Sequence, residues 1–194
     1  MAHLTNKDYF YGQRQIPQVT EGSVLEELNA YIDSLEPKVL TCLLGSTMYV
    51  EFQAAYDASV IVAAPPMAQK WLDLVNGKTY VDKYGNNQVW FGLRSDTMKV
   101  GLIANYIYFY WARGHASFST GSGEKNIASE NATPSYPMFK QNDAWREMVQ
   151  WNKELRLFLQ SNTDVYDTWN DPLTPPVYGC HCKDLFRTNN NLNL

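Results

Sequence analysis

Gly179-Cys180-His181-Cys182 gathers two thiols and an imidazole within four residues. These are ligand types that zinc prefers, but structural zinc sites take two spaced pairs. The remaining candidates, Cys42, His3 and His115, are isolated in the sequence. No metal site is expected within one subunit. Cys180, His181 and Cys182 are its nearest candidates, and a symmetric oligomer would bring several copies together. Otherwise they form an apolar cysteine pair in a tail. Three cysteines, one pair of them close together, do not make a secreted disulfide framework, so a reducing compartment is expected at synthesis. Ser119–Asn126 (STGSGEKN) has the glycines and lysine of a phosphate loop at the wrong spacing, because a P-loop needs four residues between its first glycine and Gly-Lys-Ser/Thr. Acyl transfer would need a nucleophile, a base and an orienting acid, and no such set is apparent. Neighbouring carboxylates such as Glu26 and Glu27 read as a solvated helix face. No enzyme activity and no cofactor are expected.

The densest aromatic stretch is Ala104–Gly114 (ANYIYFYWARG). It could serve as a membrane segment, a stacking platform for nucleic acid, an aromatic cage for a ligand or a buried helix. No apolar run reaches the roughly 18 residues of a membrane helix. Stacking on single strands needs cations close by, and only Lys99 and Arg113 are near. The formal net charge of −4 argues against a dedicated nucleic-acid binder and against docking on anionic membrane. A helix with apolar bulk all round, central in a bundle, is the preferred reading. Ser95 or Asp96 would cap its start, and Gly114 would stop it. A strand would instead sort Tyr106, Tyr108 and Tyr110 onto one face.

Other elements must position that helix. Ser23 and Glu26 resemble a capping box, followed by Leu25, Leu28, Ile32 and Leu35 at helical spacing. Pro37 is expected to end this helix and start another, with Val39, Leu40, Leu43 and Leu44, that stops at Gly45. A third helix runs from Ser46 to about Ala58. A short one follows Pro66 and ends at Asn76-Gly77. Two β-rich runs within about 78–92, joined by Asp82–Asn87 (DKYGNN), predict a hairpin. A lone ribbon is marginal in water, so it should pack on a helix or another subunit. Residues 114–135 read as a long Gly/Ser/Asn-rich loop. A last helix runs from about Pro137 to Gln160.

The chain of 194 residues is long enough for one domain with its own core. The expected fold is mainly α: a helical bundle over 23–161 with a small β-hairpin and extended N- and C-terminal arms, 1–22 and 162–194. The arms carry aromatic residues too frequent for plain disorder. Tyr9, Phe10, Tyr166, Trp169, Tyr178 and Phe186 are candidate contacts with a partner. Tyr108 joins them, because a small monomer would struggle to bury so many tyrosines.

Several segments, in order, resemble a known family. They are LTNKDYF (Leu4–Phe10), LLGS (Leu43–Ser46), KWLDLVNGKTY (Lys70–Tyr80), WFGL (Trp90–Leu93), KVGLIANYIYFYW (Lys99–Trp111), STGSGEKNIASENA (Ser119–Ala132) and the Trp-rich last helix. Together they resemble the head–tail connector, or adaptor, proteins of tailed bacteriophages, in particular those of Bacteroidetes and crAss-like phages, over roughly residues 4–160. The resemblance implies a ring, usually of twelve copies, at the head–tail junction of the virion, made in the host cytoplasm. It implies contacts with the portal protein and with tail or further ring proteins. DNA would pass through the channel without sequence-specific binding, and no membrane would be involved. The tail beyond residue 160 departs from the family. Rival readings are a tail-completion or terminator protein, and a small-ligand binding module using the aromatic cluster.

Overall fold

The computed structural model describes residues 1–61, 66–115, 117–120, 123–126, 138–174 and 182–187. It is mainly helical, as expected. Its helices are α1 (Gly22–Leu44), α2 (Ser46–Ser59), α3 (Gln69–Asn76), α4 (Leu102–Gly114) and α5 (Met138–Ser161). Three two-stranded antiparallel ladders accompany them among the described residues: β1 (Lys78–Val81) with β2 (Asn87–Trp90), β3 (Arg94–Ser95) with β4 (Val100–Gly101), and β5 (Ser117–Thr120) with β6 (Gly123–Asn126).

Two expected helices are one. Pro37 sits inside α1. A proline there removes one backbone hydrogen bond and costs roughly 3 kcal/mol. The apolar stripe nevertheless runs through it, with Leu28, Ile32, Val39, Leu40, Leu43 and Leu44 all buried, and interrupting the helix would forfeit that burial. Ser23 is not the cap. The turn in which Glu21 N–H donates to Gln18 O sets the start, and Glu21 O then accepts from Leu25 N–H at 2.8 Å.

The aromatic stretch is helical. Every residue from Leu102 to Phe109 is buried, and α4 packs between α1 and α5. Phe109 meets Trp145 of α5 with centroids 4.7 Å apart. The helix starts later than expected, because its supposed caps are engaged elsewhere. Ser95 Oγ accepts from Met98 N–H, and the Asp96 carboxylate binds the Tyr9 hydroxyl and Arg94.

The expected β1–β2 hairpin forms, and its ladder reaches one residue into the expected loop, with Val81 opposite Asn87. It packs on a helix: Tyr80 and Trp90 lie 5.2 and 5.8 Å from Phe158 of α5. From Phe158 a chain of ring contacts continues through Tyr166, Trp71, Phe52 and Tyr56. This chain joins the hairpin, α5, the tail, α3 and α2.

Part of the expected loop 114–135 is the β5–β6 hairpin. Thr120 pairs with Gly123, so STGSGEKN turns back on itself. Asn131-Ala132-Thr133, which matches a glycosylation sequon, and Pro134-Ser135-Tyr136-Pro137, which matches a PxxP pattern, lie outside the described residues.

The described parts of the expected arms fold back onto their own chain. Residues 7–9 and 12–14 form 3-10 turns, and Leu4, Tyr9, Phe10 and Ile16 are buried. In the tail, the Tyr166 hydroxyl donates to Lys70 O at 2.7 Å. Residues Cys182–Phe186 form another 3-10 turn with Leu185 buried. Indole N–H groups hold much of this in place. Trp90 donates to Leu74 O, Trp145 to Arg187 O, Trp151 to Gly92 O and Trp169 to Leu43 O, at 2.8–3.0 Å. Each bond fixes one segment to the carbonyl of another, in keeping with the rule that a buried indole finds an acceptor.

Candidate interaction surface

The structure distributes the predicted site residues among different roles. Tyr9, Phe10, Tyr108 and Tyr166 are buried, and Trp169 and Phe186 are partly buried against the same core. All six rings pack against the chain's own core. The expectation is that a small monomer struggles to bury so many tyrosines; described segments near both ends pack on the bundle and supply cover for these. Tyr178, Cys180 and His181 lie outside the described residues. Cys182 is bonded to Cys42 of α1. A disulfide sulfur is not a thiolate ligand, so Cys182 is no metal candidate in this state, and its partner is Cys42 in α1 rather than a neighbour in the tail. Among the described residues no cluster of three metal-ligating side chains occurs. No described helix is long and apolar enough to cross a membrane.

A first polar constellation clasps residues 2–5. Ala2 N–H donates to the Asp57 carboxylate and Ala2 O accepts from Gln53 Nε2. His3 O accepts from the Tyr56 hydroxyl, and Leu4 O accepts from Arg94. Glu36, 2% exposed, accepts from Leu4 N–H at 2.7 Å and Thr5 N–H at 3.1 Å. Side chains of α1, α2 and β3 thus replace the partner strand that these backbone groups lack. The His3 imidazole lies 3.5 Å from Glu36 and 2.9 Å from Asp33. Glu36 most of all, and then Asp33, hold its pKa above the ordinary 6.5 against the opposing effect of burial. A raised folded-state pKa gives stability that is complete below 6.5 and is lost as pH rises through the folded value. The clasp should therefore loosen as pH rises beyond 6.5. Thermal melts of wild type and His3→Asn across neutral pH check this. The difference between their melting temperatures shrinks with rising pH, and a pH-independent difference refutes the assignment.

A second constellation lies on the solvent side of α5. Lys140, Asp143, Glu147, Gln150 and Glu154 follow one another at intervals of three and four, which places them on one helix face. One lysine stands against three carboxylates. Arg14 pairs with Glu147, and its partial burial lowers its pKa. Beside this stripe, Phe91, Ser95, Met98 and Trp151 join Glu147, Gln150 and Glu154 around a groove of about 260 Å³. Phe91 and Met98 are about 60% exposed. The Trp151 N–H is committed to Gly92 O at 2.8 Å, which fixes the ring in the groove wall.

The hairpin continues this apolar surface. Trp90 points to the core, so Val89 points away from it. Thr79 pairs with Val89 and Val81 with Asn87, which places Val81 and Val89 on the same outward face. Both valines are at least half exposed, and Tyr84 at the tip is 77% exposed. Both ribbon strands also have an unpaired edge among the described residues, the kind of backbone that invites a partner. Sequence reading missed Phe91 and Met98. The Trp90-Phe91 pair carried the signal, since adjacent rings at the end of a strand face opposite ways. No protein-family model, no curated protein and no solved structure matches this chain.

Proposed function

We propose that the chain is a structural subunit of a protein assembly, and that this assembly is the ring joining portal and tail in a tailed bacteriophage. The observation that carries the assembly reading is the exposed apolar surface of Val81, Tyr84, Val89, Phe91 and Met98, on and beside a ribbon whose edges are unpaired among the described residues. Large exposed apolar patches mark interaction sites. The phage assignment rests on the ordered run of segments from Leu4 to the Trp-rich α5 that resembles the connector family. In this reading the helical bundle is the rigid body of each subunit, the ring extends the DNA channel, and tail components dock on it. The aromatic rings of α4 are packed against α1 and α5, which gives a ligand cage among them no observation in its favour. Electron microscopy of intact particles with an antibody label tests the proposal. A single ring of copies at the head–tail junction is the expected result. Label spread over the capsid, or absence of the protein from particles, overturns it.

A further inference from the structure

The DKYGNN turn has a shape fixed by one carboxylate. Asp82 accepts from the backbone N–H of Tyr84 and Asn86 at 2.8 and 2.9 Å. It also accepts from the side chains of Asn86 and Gln88 at 3.3 and 3.2 Å. These bonds hold its pKa below the usual value. The turn is thus ordered with little help from the body. It presents an exposed phenol, with the Lys83 ammonium 5.1 Å from the centre of that ring.

At the opposite end of the same ribbon lies the groove of Phe91, Met98 and Trp151. Its volume of about 260 Å³ falls below the roughly 300–1,000 Å³ of small-molecule sites, and suits one or two side chains of a protein. Its apolar wall matches a phenol, and the carboxylates of Glu147 and Glu154 on its rim match an ammonium. Arg14 already neutralises part of Glu147, which leaves Glu154 as the principal acceptor; Gln150 donates to it at 2.9 Å. The tip cannot reach its own groove, because the length of the strands, about 13 Å, separates them.

We infer that the Lys83-Tyr84 tip of one copy docks into the Phe91–Met98–Trp151 groove of a second copy. Tip and groove are different surfaces, so the contact is heterologous. Each added copy leaves one tip and one groove free, and the association closes into a ring or continues as a filament. This deepens the assembly reading and rests on it, but not on where the assembly stands in a particle.

A photo-crosslinking residue, p-benzoylphenylalanine, in place of Tyr84 in the full chain tests the contact. On irradiation of the concentrated protein, covalent oligomers form, and the linked peptides map to residues 91–98 and 147–154 of another copy. Glu154→Lys lowers the yield about tenfold through like-charge repulsion, and Lys83→Glu in the same chain restores it. Links from position 84 to other regions, a yield unmoved by Glu154→Lys, or the absence of intermolecular links at the highest concentration each overturn the inference. Particle microscopy separates the two proposals. Mapped tip-to-groove links with no ring at the junction sink the connector reading alone, and a ring without these links sinks the contact alone.

Discussion

Gly92→Ala removes roughly 4 kcal/mol of stability, a large share of a domain's total, and Gly77→Ala does the same. Both glycines have positive φ, +90° and +94°, a region that costs an L-residue strain. Here strain is only part of the cost. α3 ends at Gly77 just where the chain leaving β2 crosses it, and the two backbones touch. A Cβ on Gly92 would land on the carbonyl oxygen of Val75, 2.7 Å from Asn76 C and 2.8 Å from Gly77 N. A Cβ on Gly77 would land on the carbonyl oxygen of Trp90, 2.8 Å from Phe91 C. The crossing cannot easily widen. Leu74 O accepts from both Leu93 N–H at 3.1 Å and the Trp90 indole at 2.9 Å, and Gly92 O holds Trp151. Strain of about 1–3 kcal/mol and overpacking of about 1–3 kcal/mol together reach roughly 4 kcal/mol, against a whole-domain stability of about 5–15 kcal/mol. Gly85→Ala is the internal control, because Gly85 has φ +85° and nothing within 4 Å of an added Cβ. Urea denaturation ranks the three variants. If Gly92→Ala is no worse than Gly85→Ala, the close crossing is not what demands glycine.

The second large effect comes from the Cys42–Cys182 bond. It closes a loop across a sequence separation of 140 residues. In the chain-entropy model a loop of that length contributes about 5 kcal/mol, and measured losses on removal of native disulfides run at about 2–5 kcal/mol. The turn it anchors has other contacts. Asn152 Nδ2 donates to Leu185 O at 2.7 Å, Trp145 holds Arg187 O, and Leu185 is buried. Cys182→Ser should therefore destabilise the chain without erasing the site of the turn. Its denaturation midpoint falls, and the midpoint of oxidised wild type falls to match it on adding a thiol reductant. Non-reducing digestion of the oxidised protein yields a peptide pair joining Cys42 to Cys182. A midpoint indifferent to reductant, or digestion without that pair, would refute the prediction.

Periodicity and turn chemistry made the local elements legible. The stripe Ala144, Trp145, Met148, Leu155 and Phe158 announces α5, and DKYGNN announces its hairpin. Where competing local signals met tertiary packing, packing prevailed. Pro37 looks like a stop, yet the apolar face continues on either side of it. Ser95 looks like a cap, but its hydroxyl is used within the β3–β4 turn. Long-range closures were not legible. Nothing local in Cys42 points to a residue 140 positions away, and nothing local in Glu36 shows that its carboxylate will take two backbone N–H groups of residues 4 and 5. The same limit applied to the candidate surface. The aromatic residues chosen as partner contacts were the conspicuous ones, and the core claimed most of them. Phe91 and Met98 stand out only once Trp90 is known to face inward.

α1 holds segments from both ends of the described chain, residues 2–5 through Glu36 and residues 169 and 182 through Leu43 and Cys42. This arrangement sets a timetable. The ribosome delivers α1 early, but the turn that covers its last residues comes about 140 residues later, roughly 7–28 s at ordinary translation rates. Until then Leu40, Leu43 and Leu44 await part of their cover, and contacts so distant in sequence form slowly even in a finished chain. Arrival of residues 169–187 thus governs when the bundle becomes rigid. A chain that stops before residue 182 can present its hairpin but lacks a closed body behind it.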